Sequence, residues 1–152
     1  MRANVEALAL VRAPELRFHL PMEDRRRHDS DLATFARDHP LVVLSTVTPD
    51  GRSESALVSV AVADDDRIIV NCKSDARKLT NIRQNPAVSL VIGTTGDVSF
   101  QVEGNARIPE GAARDDAVRA YRARFPQSRA GEAGIEVIVV SPTWIRVYDT
   151  SR

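Results

Sequence analysis

Hydrophobic and polar residues alternate in short stretches from Leu41 onwards, a pattern that predicts β-strands. In one stretch Val58, Val60 and Val62 alternate with small or polar positions, so one face of this strand is expected to be core. The predicted strands cover residues 41–48, 52–63, 67–72, 87–93, 97–108, 135–141 and 143–149. Short strands separated by turn signals favour a mainly β protein whose antiparallel sheet closes into a barrel, because closure removes exposed strand edges.

Helical spacing of apolar residues predicts short helices that flank this sheet. One follows Asp29 or Ser30, either of which can cap it, and carries Leu32, Phe35 and Ala36 on one side. The others are predicted at residues 76–84 and 111–124. Residues 1–28, which contain two prolines and a run of three arginines, are interpreted as an N-terminal arm before a single domain at 29–152.

Two adjacent cations, Arg77 and Lys78, stand at the start of the helix predicted over residues 76–84. A helix N-terminus carries about half a positive charge and four unsatisfied N–H groups, so cations there are unfavourable unless an anion binds. Ser74 or Asp75 is expected to be the N-cap. The segment therefore predicts a phosphate site, and the alternative is a solvated, charged helix face.

The last predicted strand places Trp144, Arg146 and Tyr148 on the face opposite Ile145 and Val147. An aromatic and cationic face suits a flat or anionic ligand, or a subunit interface. The alternative is a partly covered edge strand.

Composition narrows the functional classes. The chain has 152 residues, which suits one domain, and its 21 acidic residues balance its 21 basic ones. A neutral balance with 5% aromatic residues argues against a nucleic-acid-binding protein. Only two of the basic residues are lysines, which suggests a GC-rich coding sequence.

The cysteine and histidine content argues against metal and disulfide chemistry. Cys72 is the only cysteine, so no intramolecular disulfide can form, and His19, His28 and His39 have no metal-binding spacing. No apolar run approaches the length of a membrane span, and no secretory signal is visible. A cytoplasmic protein without a metal site and without membrane or nucleic-acid partners is expected.

Several of these motifs together resemble the pyridoxamine 5'-phosphate oxidase-like split-barrel family of flavin-binding proteins, over residues 30–149. Residues 76–82, ARKLTNI, look like the family's R-K-x-x-N-[IL] element, and residues 85–90, NPAVSL, look like its N-P-x-V-[SA]-[LF] strand. A P-D-G turn after the first strand and a terminal W-x-R strand complete the resemblance.

The resemblance implies a homodimer with two flavin sites at its interface. A small-molecule substrate is expected, with NADPH or NADH as candidate reductants. Arg77 and Lys78 would bind the phosphate of FMN. The other positions carried over are Leu57, Val58 and Ser59 beside the isoalloxazine ring, Asn71 and Cys72 beside the ribityl chain, Gln101 from the partner subunit, and Trp144 and Arg146 at the C-terminal site positions.

Two features depart from the family pattern. Family members that oxidise pyridoxamine phosphate have a longer C-terminal segment, whereas this chain stops at Arg152, so that activity is not expected. Ala76 stands where a serine often precedes the R-K pair, which removes one hydroxyl ligand of the phosphate.

The leading hypothesis is an FMN-dependent oxidoreductase with no predicted catalytic side chain, because the flavin supplies the redox chemistry. One alternative is a reductase that uses F420, a deazaflavin with a longer acidic tail, for which Lys73, Arg83 and the N-terminal arginines could supply cations. Another is a non-catalytic module that binds flavin or haem. A barrel without any ligand leaves the Arg77 and Lys78 pair unexplained.

Overall fold

The computed structural model describes residues 32–151, so the predicted arm at 1–28 and the caps at Asp29 and Ser30 lie outside the described residues. The strands are β1 (Leu41–Val47), β2 (Ser53–Val62), β3 (Ile68–Lys73), β4 (Ala87–Ile92), β5 (Val98–Arg107) and β6 (Ile135–Asp149). Helix α1 covers residues 32–38, α2 is Arg77–Gln84 and α3 is Gly111–Arg124. The ends of β1 to β5, α2 and α3 agree with the sequence predictions to within one residue.

The strands form a closed antiparallel barrel in the order β1-β2-β3-β6-β5-β4. The alternation predicted for β2 is confirmed, because Val58 and Val60 are buried while Leu57 is exposed. Side chains from every strand fill the interior, including Leu44, Leu90, Val70, Val102 and Ile138. The mainly β split-barrel fold is therefore confirmed.

The end of the chain differs from the prediction of two strands at 135–141 and 143–149. They form one strand, β6, of 15 residues. Glu103 of β5 faces Trp144 and Gly104 faces Pro142, so Thr143 is the extra residue of a β-bulge. Pro142 lies between the two predicted strands, and proline is compatible with a bulge because the ladder of hydrogen bonds is interrupted there. A Cβ atom at Gly104 would lie 2.7 Å from a carbonyl oxygen of β6, so this close pairing requires glycine.

The helices cover two parts of the barrel. Leu32 and Ala36 of α1 join the interior cluster, as predicted, and Phe35 packs against it. Helix α3 packs outside β2, β3 and β6 through Ala117 and Tyr121, which belong to a second apolar cluster. Within residues 32–151, no helix is long and apolar enough to cross a membrane.

Candidate functional site

Helix α2 begins without a side-chain cap. Ala76 occupies the N-cap position and has no side-chain acceptor, so the prediction of Ser74 or Asp75 as the cap is wrong. The Ala76 N–H bonds to the Lys73 carbonyl at 3.0 Å, which closes a turn over residues 73–76 and delays the helix until Arg77. The first turn of α2 contains no acidic residue. Nothing in this turn balances the positive end of the helix dipole.

The N-terminus of α2 has several hydrogen-bond donors without an acceptor in the described part of the chain. The Leu79 N–H bonds to the Ala76 carbonyl at 3.0 Å, whereas no acceptor within residues 32–151 faces the backbone N–H groups of Arg77 and Lys78. The Lys78 side chain is half-buried and has no ion-pair partner in that range. Two free amides, a half-buried ammonium group and the positive dipole end together suit a phosphate or another oxyanion.

A line of polar side chains behind Arg77 connects α2 to β1 and β2. The Arg77 guanidinium pairs with Glu54, whose side chain is 26% exposed against 77% for Arg77. Asn81, which is 3% exposed, donates through Nδ2 to Glu54 Oε2 at 2.8 Å and to Thr46 Oγ1 at 2.9 Å. Sequence reasoning missed these contacts because they join residues 27 and 35 positions apart.

A cavity of about 720 Å³ lies between β2 and the C-terminal end of β3, on one side, and the C-terminal end of α3 with the loop that follows it, on the other. Ser59, Asn71, Cys72 and Lys73 line it, so the structure brings together four positions predicted to bind cofactor. The volume is in the range of small-ligand pockets, which is about 300–1,000 Å³.

The cavity contains a thiol and hydroxyl groups that are uncharged at neutral pH. Burial raises the pKa of the Cys72 thiol, and the nearby charge of Lys78 opposes this shift only in part. Burial also raises the pKa of the Tyr121 hydroxyl, against a smaller opposing effect of a hydrogen bond with Ser59. The Ser128 hydroxyl oxygen is buried and has no hydrogen-bond partner in the described part of the chain. A ligand in the cavity would therefore meet an uncharged thiol and uncharged hydroxyl groups.

The predicted positions on β2 differ in what they can offer a ligand. The Leu57 side chain is 61% exposed on the outer surface, whereas Val58 is 8% exposed and points into the barrel. Val58 can therefore contribute only its backbone to a bound ring system. Leu57 belongs to an exposed apolar patch with Leu41 and Val91, which are 50% and 37% exposed.

Gln101 and Arg146 lie opposite each other on the outer faces of β5 and β6. The strand register continues from Gln101 to Val91, then to Val43 and finally to Leu57. Adjacent strands are about 4.8 Å apart, so the four steps from Leu57 to Arg146 span roughly 19 Å of barrel surface.

The route along β6 is also long. Cys72 pairs with Glu136, and Arg146 is ten positions further along β6, which is about 33 Å along the strand at 3.3 Å per residue. Along the strands, Gln101, Trp144 and Arg146 therefore lie far from the group around Cys72.

The described residues contain no candidate metal site. No cluster of three His, Cys, Asp or Glu residues within 32–151 could hold a metal ion. The ring of His39 lies 4.0 Å from the Phe35 ring, and its Nδ1 is 3.0 Å from the Phe35 carbonyl oxygen.

Comparisons with known proteins agree with this architecture. The putative pyridoxamine 5'-phosphate oxidase from Listeria innocua is 17% identical, with 79% of this chain and 97% of that chain covered at a TM-score of 0.65. General Stress Protein 26 from Bacillus anthracis str. Sterne is 23% identical, with 80% and 94% covered at 0.65. HutZ, a haem storage protein from Vibrio cholerae, is 15% identical, with 79% and 92% covered at 0.66. At these low sequence identities, the structural similarity establishes the fold and nothing about function.

The sequence comparisons give the family. A search of curated proteins finds no match. The sequence model described as pyridoxamine 5'-phosphate oxidase matches residues 29–149, which is well over half of the chain. The chain therefore belongs to the pyridoxamine 5'-phosphate oxidase-like family of split-barrel proteins.

Proposed function

We propose that this protein is a flavin-dependent oxidoreductase that binds FMN at the interface of a homodimer and transfers a hydride to or from a small substrate. The observation that carries the proposal is the set of unpaired donors at the N-terminus of α2, namely the amides of Arg77 and Lys78 and the half-buried Lys78 ammonium group. A phosphate monoester carries close to two negative charges near pH 7, and these donors match it in charge and in hydrogen bonding.

Self-association is the second part of the proposal. The outer face of β1, β2 and β4 exposes Leu41, Leu57 and Val91, and exposed apolar patches mark interaction surfaces. A partner subunit would cover this patch. It would also bring its own Gln101 and Arg146 towards the ligand held by this chain.

The residues of the chain would bind and orient the reactants. Bound flavin supplies hydride transfer, so the protein needs to position the substrate and exclude water rather than to provide a nucleophile. The cavity beside Ser59, Asn71 and Cys72 gives a small molecule access to the predicted ring position. Lys73 is exposed at this cavity and, within residues 32–151, has no ion-pair partner, so it is available to an acidic group of substrate or cofactor.

F420 is the alternative cofactor. Its acidic tail needs cations beyond the R-K pair, and Lys73 meets that requirement. Arg83 lies in the last turn of α2, which is about 9 Å from Arg77 along the helix axis. The N-terminal arginines proposed for the same role lie outside the described residues.

A non-catalytic module is the second alternative, and a structural relative named as a haem storage protein makes haem a ligand to test. Haem iron is held by His, Cys, Met or Tyr. Cys72 and Tyr121 line the cavity, but the raised pKa of each keeps it protonated at neutral pH, which weakens it as a ligand. Among the residues that the structure describes at this cavity, none is therefore a strong haem ligand, which favours flavin.

Anaerobic reduction tests the oxidoreductase proposal. FMN-loaded protein is mixed with NADPH or NADH, and the absorbance of oxidised flavin is followed before and after an electron acceptor is added. We expect bleaching and then recovery, both faster than for the same concentration of free FMN. A flavin that remains oxidised with every donor, or that reacts no faster than free FMN, would contradict the proposal and favour a binding module.

A further inference from the structure

We propose that Glu54 is a positioning residue for Arg77, held in place by the buried Asn81, and that it thereby sets the preference of the site for phosphate-bearing flavin. This inference rests on the proposed function, because it assigns a role within the same phosphate site. Glu54 does not touch the ligand in this account and acts only through Arg77.

The burial gradient along the polar side chains supports this role. Thr46 and Asn81 are both 3% exposed, Glu54 is about one-quarter exposed and Arg77 is mostly exposed. One end of this chain of contacts thus lies in the protein interior, and the other end, Arg77, faces the solvent. An arginine side chain has many rotamers, so a fixed carboxylate beside the guanidinium restricts it before any ligand arrives.

The hydrogen bonds of Glu54 explain why its charge should support the site rather than repel an anion. One carboxylate oxygen receives Asn81 Nδ2 at 2.8 Å, and the other faces the Arg77 guanidinium. Both oxygens are therefore occupied by donors. Guanidinium has five N–H donors, so those not used by Glu54 remain available to a ligand on the exposed side of Arg77.

The test compares FMN with riboflavin, which has the same ring but no phosphate. We expect Glu54→Gln to weaken FMN binding about tenfold, the factor expected if the rotamer freedom of one arginine is lost on binding instead of beforehand. Gln keeps an oxygen for Asn81 but loses the charge that pairs with Arg77. Riboflavin affinity should not change. The ratio of the riboflavin dissociation constant to the FMN dissociation constant should therefore fall by the same factor.

Further variants test whether the effect of Glu54 depends on Arg77. Arg77→Ala should lower the ratio, and adding Glu54→Gln to Arg77→Ala should lower it no further, because Glu54 acts through Arg77. Asp65→Asn is the matched control, since it removes a carboxylate that pairs with Arg67 at 2.6 Å in the turn between β2 and β3. If Glu54→Gln does not fold, Glu54→Asp replaces it, because the shorter side chain cannot contact Asn81 and Arg77 together, and a smaller drop is expected.

The outcomes separate this inference from the function on which it rests. A wild-type protein that binds FMN no better than riboflavin would overturn the phosphate assignment, and the role of Glu54 with it. A wild-type preference for FMN that survives in the Glu54 variants would overturn this inference alone. Tighter FMN binding by Glu54→Gln would also overturn it, because Glu54 would then compete with the ligand for Arg77.

Discussion

Replacing Lys78 with glutamine should change the stability of the apoprotein and its affinity for FMN in opposite directions. Gln and Lys have nearly equal helix propensities, so the substitution mainly removes a charge. Lys78 opposes the dipole of α2 and has no ion-pair partner within residues 32–151. Its removal should therefore stabilise the ligand-free protein by about 0.3–1 kcal/mol. For a chain of this size, that corresponds to a rise in Tm of roughly 1–3 °C.

The same substitution should weaken FMN binding. A hydrogen bond to a charged group contributes about 1.5–3 kcal/mol, and the half-buried position of Lys78 places it near the middle of this range. A loss of about 2 kcal/mol raises the dissociation constant for FMN roughly 30-fold. Riboflavin binding should change little, because its missing phosphate is the group that Lys78 is proposed to contact.

Thermal melting of the apoprotein and fluorescence titration with FMN measure the two effects. Arg83→Gln is the matched control, because Arg83 is an exposed cation in the last turn of the same helix. It should lower Tm slightly, since a cation is favourable at a helix C-terminus, and it should leave FMN affinity unchanged. If Lys78→Gln destabilises the protein and leaves FMN affinity unchanged, Lys78 is a structural residue and the phosphate assignment is refuted.

Three other predictions address the cofactor, the dimer and the cavity. Lys73→Glu should weaken F420 binding much more than FMN binding in parallel titrations, and equal losses would remove the argument that Lys73 serves an acidic tail. Leu57→Glu should convert a dimer into a monomer in light-scattering measurements, because a charge would have to be buried in the interface; an unchanged mass would contradict the proposed interface. Cys72 should react with iodoacetamide more slowly than a free cysteine at pH 8, and its rate should keep rising above the usual thiol pKa, about 8.5, because burial raises the pKa of this thiol. Bound FMN should slow the reaction further, and a rate already maximal at pH 8 would contradict the assigned environment.

Local patterns explain why most of the fold could be predicted from the sequence. Alternation along β2 requires only that one face is buried, and the buried Val58 and Val60 beside the exposed Leu57 meet that requirement. The single strand β6 could not be predicted, because Pro142 interrupts the local pattern and only pairing with β5 reveals the bulge. The sequence prediction also missed the uncapped start of α2. The helix begins at Arg77 because the Ala76 N–H donates a hydrogen bond to the Lys73 carbonyl, which a local residue pattern does not reveal.

Sequence reasoning found only part of the candidate site. Arg77 and Lys78 could be found because adjacent cations at a helix N-terminus conflict with the helix dipole. Glu54 could not be found, because its contacts with Asn81 and Arg77 depend on how the barrel brings β2 beside α2. The resemblance supplied Gln101 and Arg146, and the strand register places them opposite each other on β5 and β6.

Cofactor binding by the purified protein is the most direct test of the central claim. An absorption spectrum should be recorded first and followed by fluorescence titrations with FMN and F420 side by side. We expect saturable FMN binding in the micromolar range or tighter, with the bands of oxidised flavin in any protein that retains its cofactor. Saturable binding of F420 but not of FMN would identify F420 as the cofactor. Binding of neither would contradict the proposal that the N-terminus of α2 holds a flavin phosphate.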